Sequence, residues 1–216
     1  MAAGKRSKKP ATTGANRTPK SARRGPKSVL DTMSPGELAV VLRDLLNDHP
    51  DLRPEAEAIA VETVSSPSVE DIAEEVLDAV TSLDLDSLND RAGSHSWGYV
   101  GPTEAAWELL QEAVEDVVAD MKRRMELGLD TAAEAICRGI VAGLHKAKDV
   151  GSDGPLGWAE DFPAEQACHV VAELIRTCPV EKRPAVRDRL VDALGDLVPA
   201  WHVMISRAAD RALHAE

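Results

Sequence analysis

Apolar side chains recur every three or four residues along most of this chain, which is the spacing of one face of an α-helix. The longest such stripe runs from Trp107 to Met125, and a shorter one carries Ile72, Val76 and Val80. No stretch alternates apolar and polar residues over the length of a β-strand. The pattern therefore predicts an all-α protein.

Local signals at the ends of these stripes predict eight helices. Ser34, Pro35 and Glu37 form a helix start, because serine caps well, proline fits the first helical position and glutamate can bond back to the cap. Gly139 and Gly143 lie four residues apart inside the fifth helix, a spacing that permits the close approach of another helix. The predicted helices cover residues 35–47, 54–64, 69–83, 102–128, 130–148, 163–178, 181–194 and 200–213.

Short turns between consecutive helices favour antiparallel packing of neighbours. We therefore expect an irregular array of antiparallel helical hairpins, either α-solenoid-like or a helical bundle. No internal repeat recurs at a fixed period, so the sequence does not support a formal repeat family. Between the helices we expect loops at residues 84–101 and 151–157, with one short helical turn around residues 85–89.

The ionic side chains divide the chain into two parts of opposite charge. The whole chain has 37 acidic and 25 basic side chains, a formal charge of −12. Residues 1–28 contain none of the acids and nine of the basic residues, which leaves 16 basic side chains and a charge of −21 for residues 29–216. The nine are Lys5, Arg6, Lys8, Lys9, Arg17, Lys20, Arg23, Arg24 and Lys27.

Residues 1–28 also lack leucine, isoleucine, valine and phenylalanine, so burial cannot offset the entropy of ordering them. We predict a disordered basic tail, followed by a single all-helical domain at residues 29–216. Such a tail can bind nucleic acid through counterion release, or it can dock on the acidic body of its own chain. No apolar segment follows the charged start as in a secretory signal, and we expect a cytoplasmic protein.

Composition and motifs exclude several classes of protein. No apolar run approaches the roughly 18 residues of a membrane-spanning helix, so we expect no membrane partner. Three cysteines without paired spacing exclude a disulfide framework and a cysteine-based zinc module; we interpret them as core residues and expect no cofactor. Motifs such as Gly-x-Ser-x-Gly, the phosphate-binding loop and His-Glu-x-x-His are absent, which favours a non-enzymatic protein.

Several short segments resemble uncharacterised bacterial proteins in which a helical region often accompanies a SWIM-type zinc finger. They lie within residues 34–178 and read LAVVLRDLL (38–46), HPDL (49–52), GYV (98–100), AW (106–107), ELG (126–128) and SDG (152–154). The Cys-x-Cys and Cys-x-His ligands of that zinc finger are absent from this chain. The resemblance implies a helical accessory module of unassigned activity, and it supports the fold more than a function.

The chain has six aromatic residues, and four of them lie in or beside the two longest loops. If the third to sixth helices alternate in direction, both loops meet at one end of the array. Arg91 and His95 then complete an aromatic surface that is suited to recognition of a peptide or a small ligand. The alternative is that the rings plug the open end of the helical core. The candidate partner-binding residues are Arg91, His95, Trp97, Tyr99, Trp158 and Phe162.

The second of these loops partly matches a calcium-binding loop. With Asp149 as position 1, Asp153 is at position 5, Gly154 at 6 and Glu160 at 12, as in an EF-hand. Position 3 is Gly151, which supplies no side-chain oxygen, and no second loop is present to pair with it. A metal-dependent or small-molecule-acting helical protein that uses these acids is the alternative to an interaction module.

An acidic strip lies along the fourth predicted helix, at Glu112, Glu115, Asp116 and Asp120. It is either a solvated face or a surface that receives a cationic partner. Together these features predict a helical interaction or scaffold module that binds an unidentified protein through its aromatic loops. The basic tail adds electrostatic attachment, and a nucleic-acid-associated protein acting through that tail is the third hypothesis.

Overall fold

The computed structural model describes residues 28–96, 98–150 and 154–214 of the chain. In these ranges ten α-helices, three 3₁₀-helices of three residues each and one two-stranded antiparallel sheet are present, which confirms the all-α fold class and all eight predicted helices. None of the described helices is both long and apolar enough to cross a lipid bilayer. The helices are α1 (Pro35–Asp48), α2 (Arg53–Ser65), α3 (Val69–Thr81), α4 (Leu85–Arg91), α5 (Pro102–Glu126), α6 (Asp130–Ala147), α7 (Pro155–Trp158), α8 (Phe162–Thr177), α9 (Arg183–Leu197) and α10 (His202–Leu213).

Contacts divide the chain into two compact units, residues 1–54 and residues 55–216. In the first unit, α1 begins with the predicted capping box. The Glu37 carboxylate accepts the backbone N–H of Ser34 at 2.8 Å, and the Ser34 hydroxyl accepts the N–H of Glu37 at 3.4 Å. No residue of α1 is buried. The boundary at residue 28 between a tail and a single domain stays a prediction.

Helix α6 is the centre of the second unit. It packs against α3, α5, α8 and α9, and α10 covers α8 and α9. Twelve of its 18 residues are buried, and Ile136, Ile140 and Leu144 are 0% exposed. Burying an aliphatic side chain of this size contributes about 1.5–3 kcal/mol relative to leaving it in water. The core is therefore assembled around α6.

Gly139 and Gly143 bring α6 close to α3, as their spacing predicts. A β-carbon at Gly139 would lie 2.6 Å from the β-carbon of Ile72, and one at Gly143 would lie 2.6 Å from the carbonyl oxygen of Ala73. Non-bonded carbon atoms pack best about 3.5–4.0 Å apart. Because both neighbours are rigid atoms close to the backbone, only glycine at these two positions allows the observed approach.

The predicted loop at residues 84–101 contains regular structure. Helix α4 replaces the expected single turn, and it is followed by the strands β1 (Gly93–His95) and β2 (Gly98–Val100), with Ser94 opposite Tyr99. The prediction of a loop was wrong here for a physical reason. Strands of three residues are too short to show an alternating pattern, and glycine has little strand propensity.

The predicted break at residues 151–157 also contains regular structure, the four-residue helix α7. Pro155 occupies its first position, and the N–H of Ala159 donates to the Pro155 carbonyl at 3.1 Å. One helical turn leaves no periodic signal in a sequence, because the signal requires at least two turns on one face. The turn matters for the candidate site because it ends at Trp158.

Candidate functional site

A cleft of about 650 Å³ opens between α4, the hairpin and the first turns of α5. Arg91 ends α4, His95 ends β1 and Val100 ends β2, so consecutive elements supply its walls. Two predicted partner-binding residues, Arg91 and His95, therefore share this cleft. Its lining residues are Ser87, Asp90, Arg91, His95, Val100, Glu108 and Leu109.

Arg91 joins α4 to α5 through a forked ion pair, which we call the Arg91 clamp. Its Nη1 and Nη2 atoms donate to the two carboxylate oxygens of Glu112 at 2.9 and 2.8 Å, and Nη1 also donates to Glu108 at 3.1 Å. Glu108 and Glu112 lie one turn apart on α5, so both carboxylates reach one guanidinium. The hydrogen bond to Glu112 is the largest cause of a raised pKa at Arg91, and the bond to Glu108 is the second. The same pairing with Arg91 lowers the pKa of Glu112.

His95 and Tyr99 differ in accessibility. The Nε2 atom of His95 lies 2.8 Å from the carbonyl oxygen of Arg91. A carbonyl oxygen only accepts, so Nε2 carries the hydrogen in this bond. His95 is half-buried, whereas Tyr99 is 70% exposed. The hairpin thus presents the Tyr99 ring to solvent next to Val100, which lines the cleft.

Trp158 and Phe162 differ in the same way. Trp158 ends α7 and is 51% exposed. Phe162 begins α8 and is 0% exposed, and its ring meets Trp107 edge-on with 5.0 Å between the ring centroids and 73° between the planes. This corrects the prediction for Phe162, because burial removes its ring from any partner. The alternative, in which a ring closes the end of the core, applies to this residue.

Parts of both aromatic loops reach the same helix. The hairpin leads directly into α5, α7 packs against α5, and Trp107 of α5 contacts Phe162. Trp97 lies outside the described residues. In the described part of the predicted surface, two rings are exposed, those of Tyr99 and Trp158, and no ring contact joins them.

The predicted calcium loop is described only in part, since Asp153 lies outside the described residues. Lys148 donates to both carboxylate oxygens of Asp149, at 2.8 and 3.0 Å, and so lowers the pKa of Asp149. Glu160 shares a cleft of about 510 Å³ with Asp149, but α7 occupies positions 7 to 10 of the loop. Within the described ranges no three His, Cys, Asp or Glu side chains are placed to hold one ion.

Of the two oppositely charged parts of the chain, the structure describes the acidic one. On the strip along α5, Glu112 and Asp120 pair with arginines, whereas Glu115 and Asp116 are exposed and have no ion pair in the described ranges. The strip therefore keeps an unneutralised charge at its centre. The basic residues of the tail lie outside the described residues; they are Lys5, Arg6, Lys8, Lys9, Arg17, Lys20, Arg23, Arg24 and Lys27.

The three cysteines form no disulfide, and Cys137 and Cys178 are buried as predicted, while Cys168 is half-buried. Burial raises the pKa of all three thiols. The thiolate is the nucleophilic form of cysteine, and a raised pKa disfavours it. The raised pKa therefore keeps these thiols mainly in the protonated, less nucleophilic form.

Sequence reasoning did not single out Glu108 or Gln166. Glu108 completes the Arg91 clamp, and its position four residues before Glu112 is a signal that could have identified it. Gln166 is the one polar side chain buried in the described core, at 6% exposure. It interrupts the apolar stripe of α8 four residues before the buried Val170, and a polar residue on an apolar face is also readable from sequence.

The clamp predicts a change in the titration of Glu112. Arg91→Gln is expected to raise the Glu112 pKa toward its ordinary value of 4.5, because the hydrogen bonds and charge that lower it are removed. A carboxylate whose pKa is lowered by folding stabilises the fold above its unfolded pKa, and this contribution is lost as the pH falls through the lowered value. NMR titration of the side-chain carboxyl carbons measures the midpoint in both proteins.

Glu37 is the internal control for this titration. Its pKa is lowered by the hydrogen bonds of Ser34, the backbone bond first, and not by an arginine. Its midpoint should therefore be identical in the wild-type protein and in Arg91→Gln. A Glu112 midpoint that does not move would contradict the clamp.

No protein-family model, no curated protein and no solved structure matches this chain. The resemblance to the helical region that accompanies SWIM-type zinc fingers therefore stays a prediction. Any function proposed for the chain rests on the residues described above.

Proposed function

We propose that this chain is a non-enzymatic helical interaction module, which binds a protein partner through Tyr99, Trp158 and the cleft at Arg91 and His95. The observation that carries the proposal is the exposure of two large rings, 70% for Tyr99 and 51% for Trp158. Exposed tyrosine and tryptophan are enriched where proteins meet, because each buries a large area and has a polar atom for a hydrogen bond.

The Arg91 clamp supports the proposal because it fixes the walls of the cleft. Arg91 bonds two carboxylates of α5 through its side chain, and its carbonyl accepts the bond from His95 of β1. Helix α4, the hairpin and α5 are thereby tied together by charged and polar contacts. A partner that docks on a surface already held in place loses less conformational entropy on binding.

Other parts of the proposal rest on the sequence. The nine basic residues of the tail would add electrostatic attachment to an acidic surface, including nucleic acid. We place the module in the cytoplasm, a proposal that the three unpaired cysteines support, since disulfides are rare there. The resemblance to a helical accessory region is in keeping with a binding role.

Site-specific photo-crosslinking tests the proposal and captures the partner in the same step. A photoreactive phenylalanine analogue is placed at Tyr99 in the full-length chain, and the same analogue is placed at Val180, which is 68% exposed and lies between α8 and α9. We expect a discrete crosslinked protein from the Tyr99 position in cell extract, and none from the Val180 position.

A second measurement links the crosslink to the aromatic surface. Trp158→Ser should reduce the yield from the Tyr99 position at least fivefold while circular dichroism remains that of the wild type. Identical crosslinked products from both positions, or a yield that Trp158→Ser leaves unchanged, would refute the proposed surface.

A further inference from the structure

Helix α1 carries an apolar stripe that is not buried against any described segment of the chain. None of the 14 residues of this helix is buried. The stripe consists of four side chains that are 38–50% exposed, those of Leu38, Val41, Leu42 and Leu45. Their spacing of three, one and three residues places them on one face of the helix. Contiguous exposed apolar faces are uncommon on folded proteins and mark surfaces that bind another molecule.

Two acids run along one edge of this stripe. Asp44 and Asp48 lie three and seven residues after Val41, so the three side chains follow one line along α1. Both acids are exposed, and neither has an ion pair in the described ranges of the chain. A partner of α1 therefore needs an apolar surface with cations along one side.

The outer face of α10 has these two properties. It forms one side of a groove of about 630 Å³, whose lining residues are Ala200, Val203, Met204, Arg207, Asp210 and Arg211. The apolar residues lie at the start of α10 and the charged ones toward its end. Val203 is 63% exposed, so the apolar part of the groove is open to a partner.

The groove also has a positive charge that no acid of the described chain neutralises. Asp210 is engaged by Arg187, whose Nη2 atom lies 2.7 Å from the Asp210 carboxylate. Arg207 and Arg211 are exposed and have no ion pair with any described residue. The two arginines are therefore available to acids from outside.

The charged edges of α1 and α10 have the same spacing. Each row has one apolar residue and then two charged residues, three and seven positions further along the chain. The rows are Val41, Asp44 and Asp48 on α1, and Met204, Arg207 and Arg211 on α10. Steps of three and four residues form the seam between two helices that pack side by side. At a rise of 1.5 Å per residue, each row is about 10.5 Å long, so parallel helices match every acid with an arginine.

We infer that α1 of one copy of this chain docks on the outer face of α10 of a second copy. Each aspartate of the α1 row pairs with the arginine at the same place in the α10 row, and the apolar stripe covers Val203 and Met204. Exposed ion pairs add little affinity but fix the register, whereas the apolar contact supplies most of the affinity. Because every copy carries both faces, two such contacts form together in a two-fold dimer.

This dimer contact is separate from the aromatic surface. It uses α1 and α10, whereas the proposed function rests on Tyr99 and Trp158. Variants in one set leave the other set unchanged, so the crosslinking experiment and a test of the dimer can fail separately.

The first test is sedimentation equilibrium of the full chain near physiological salt. We expect the weight-average mass to rise above the monomer mass of 23.1 kDa as the concentration increases. Val203→Ser should weaken association at least fivefold, because it removes exposed apolar contact area. Val180→Ser is the matched control, since Val180 is 68% exposed but lies between α8 and α9, and it should change the dissociation constant less than twofold.

The second test reverses the charge of each row. One variant combines Asp44→Lys with Asp48→Lys, and the other combines Arg207→Glu with Arg211→Glu. Each variant alone should associate at least fivefold more weakly than the wild type, because its two rows then carry charges of the same sign. An equimolar mixture should associate as the wild type does, because each row meets a row of opposite charge in the other variant.

The control for charge reversal combines Glu115→Lys with Asp116→Lys on α5. Both acids are exposed, and the two changes alter the net charge exactly as the α1 reversal does, so association should stay within twofold of the wild type. Three results would overturn the inference: a wild-type chain that keeps the monomer mass at every concentration tested, equal weakening by the α1 and α5 reversals, or a mixture that does not associate. All variants change exposed side chains, and circular dichroism of each should match the wild type.

Discussion

Replacing Phe162 with alanine is expected to lower the free energy of unfolding by about 3–5 kcal/mol. The ring is 0% exposed and meets Trp107 edge-on at 5.0 Å between centroids. Its removal therefore leaves a cavity and also ends an aromatic contact worth about 0.5–1.5 kcal/mol. Urea unfolding followed by circular dichroism measures the loss, which is a large fraction of the roughly 5–15 kcal/mol that stabilises a typical domain.

Trp158→Ala is the matched control, four residues earlier in the chain. The Trp158 ring is 51% exposed, so its truncation removes less buried area than the truncation of Phe162 and opens no enclosed cavity. We therefore expect a clearly smaller loss of stability than for Phe162→Ala. Equal destabilisation by the two substitutions would show that the division into a buried and an exposed ring is wrong, and with it the assignment of Trp158 to the binding surface.

Gly143→Ala is expected to destabilise the protein although alanine is normally the better helix former. An added β-carbon would lie 2.6 Å from the Ala73 carbonyl oxygen and 2.8 Å from the β-carbon of Val76. Overpacking of this kind costs roughly 1–3 kcal/mol, and the gain in helix propensity offsets about 1 kcal/mol of it. The net loss of roughly 1–2 kcal/mol should appear as a lower urea midpoint.

Gly36→Ala tests whether this loss comes from the close approach of α3. Gly36 also lies in a helix, but a β-carbon there would have no atom within 4 Å. Its replacement should be neutral or stabilising by up to about 1 kcal/mol. If Gly143→Ala behaves like Gly36→Ala, the tight packing of α3 on α6 is incorrect.

The sequence predicted only part of the candidate site. The pattern identified Arg91 and His95 as neighbours of an aromatic loop, and the two residues do share a cleft. It did not separate Tyr99 and Trp158, which are exposed, from Phe162, which is buried. Aromatic identity is the same in all three cases, and only the packing of α8 against α5 determines which ring is enclosed.

The sequence also did not predict which charged residues pair with one another. Arg91 and Glu112 are 21 residues apart along the chain, and they meet because the hairpin turns the chain back toward α5. The spacing of Glu112 and Glu115 on one helix predicts an acidic strip. Which of the two carboxylates is left unpaired depends on the guanidinium of Arg91, which lies at the end of α4 and pairs with Glu112.

By itself the sequence determined the helical class, the eight longer helices, the capping box at Ser34 and the glycine spacing on α6. These features depend on interactions between residues at most four positions apart. The local order of residues determines such interactions directly. The tertiary structure alone decided the pairing of Gly93–His95 with Gly98–Val100, the enclosure of Phe162, the Arg91 clamp and the burial of Gln166. Each of these depends on which distant segments come into contact, and that choice is made by the packing of the whole core around α6.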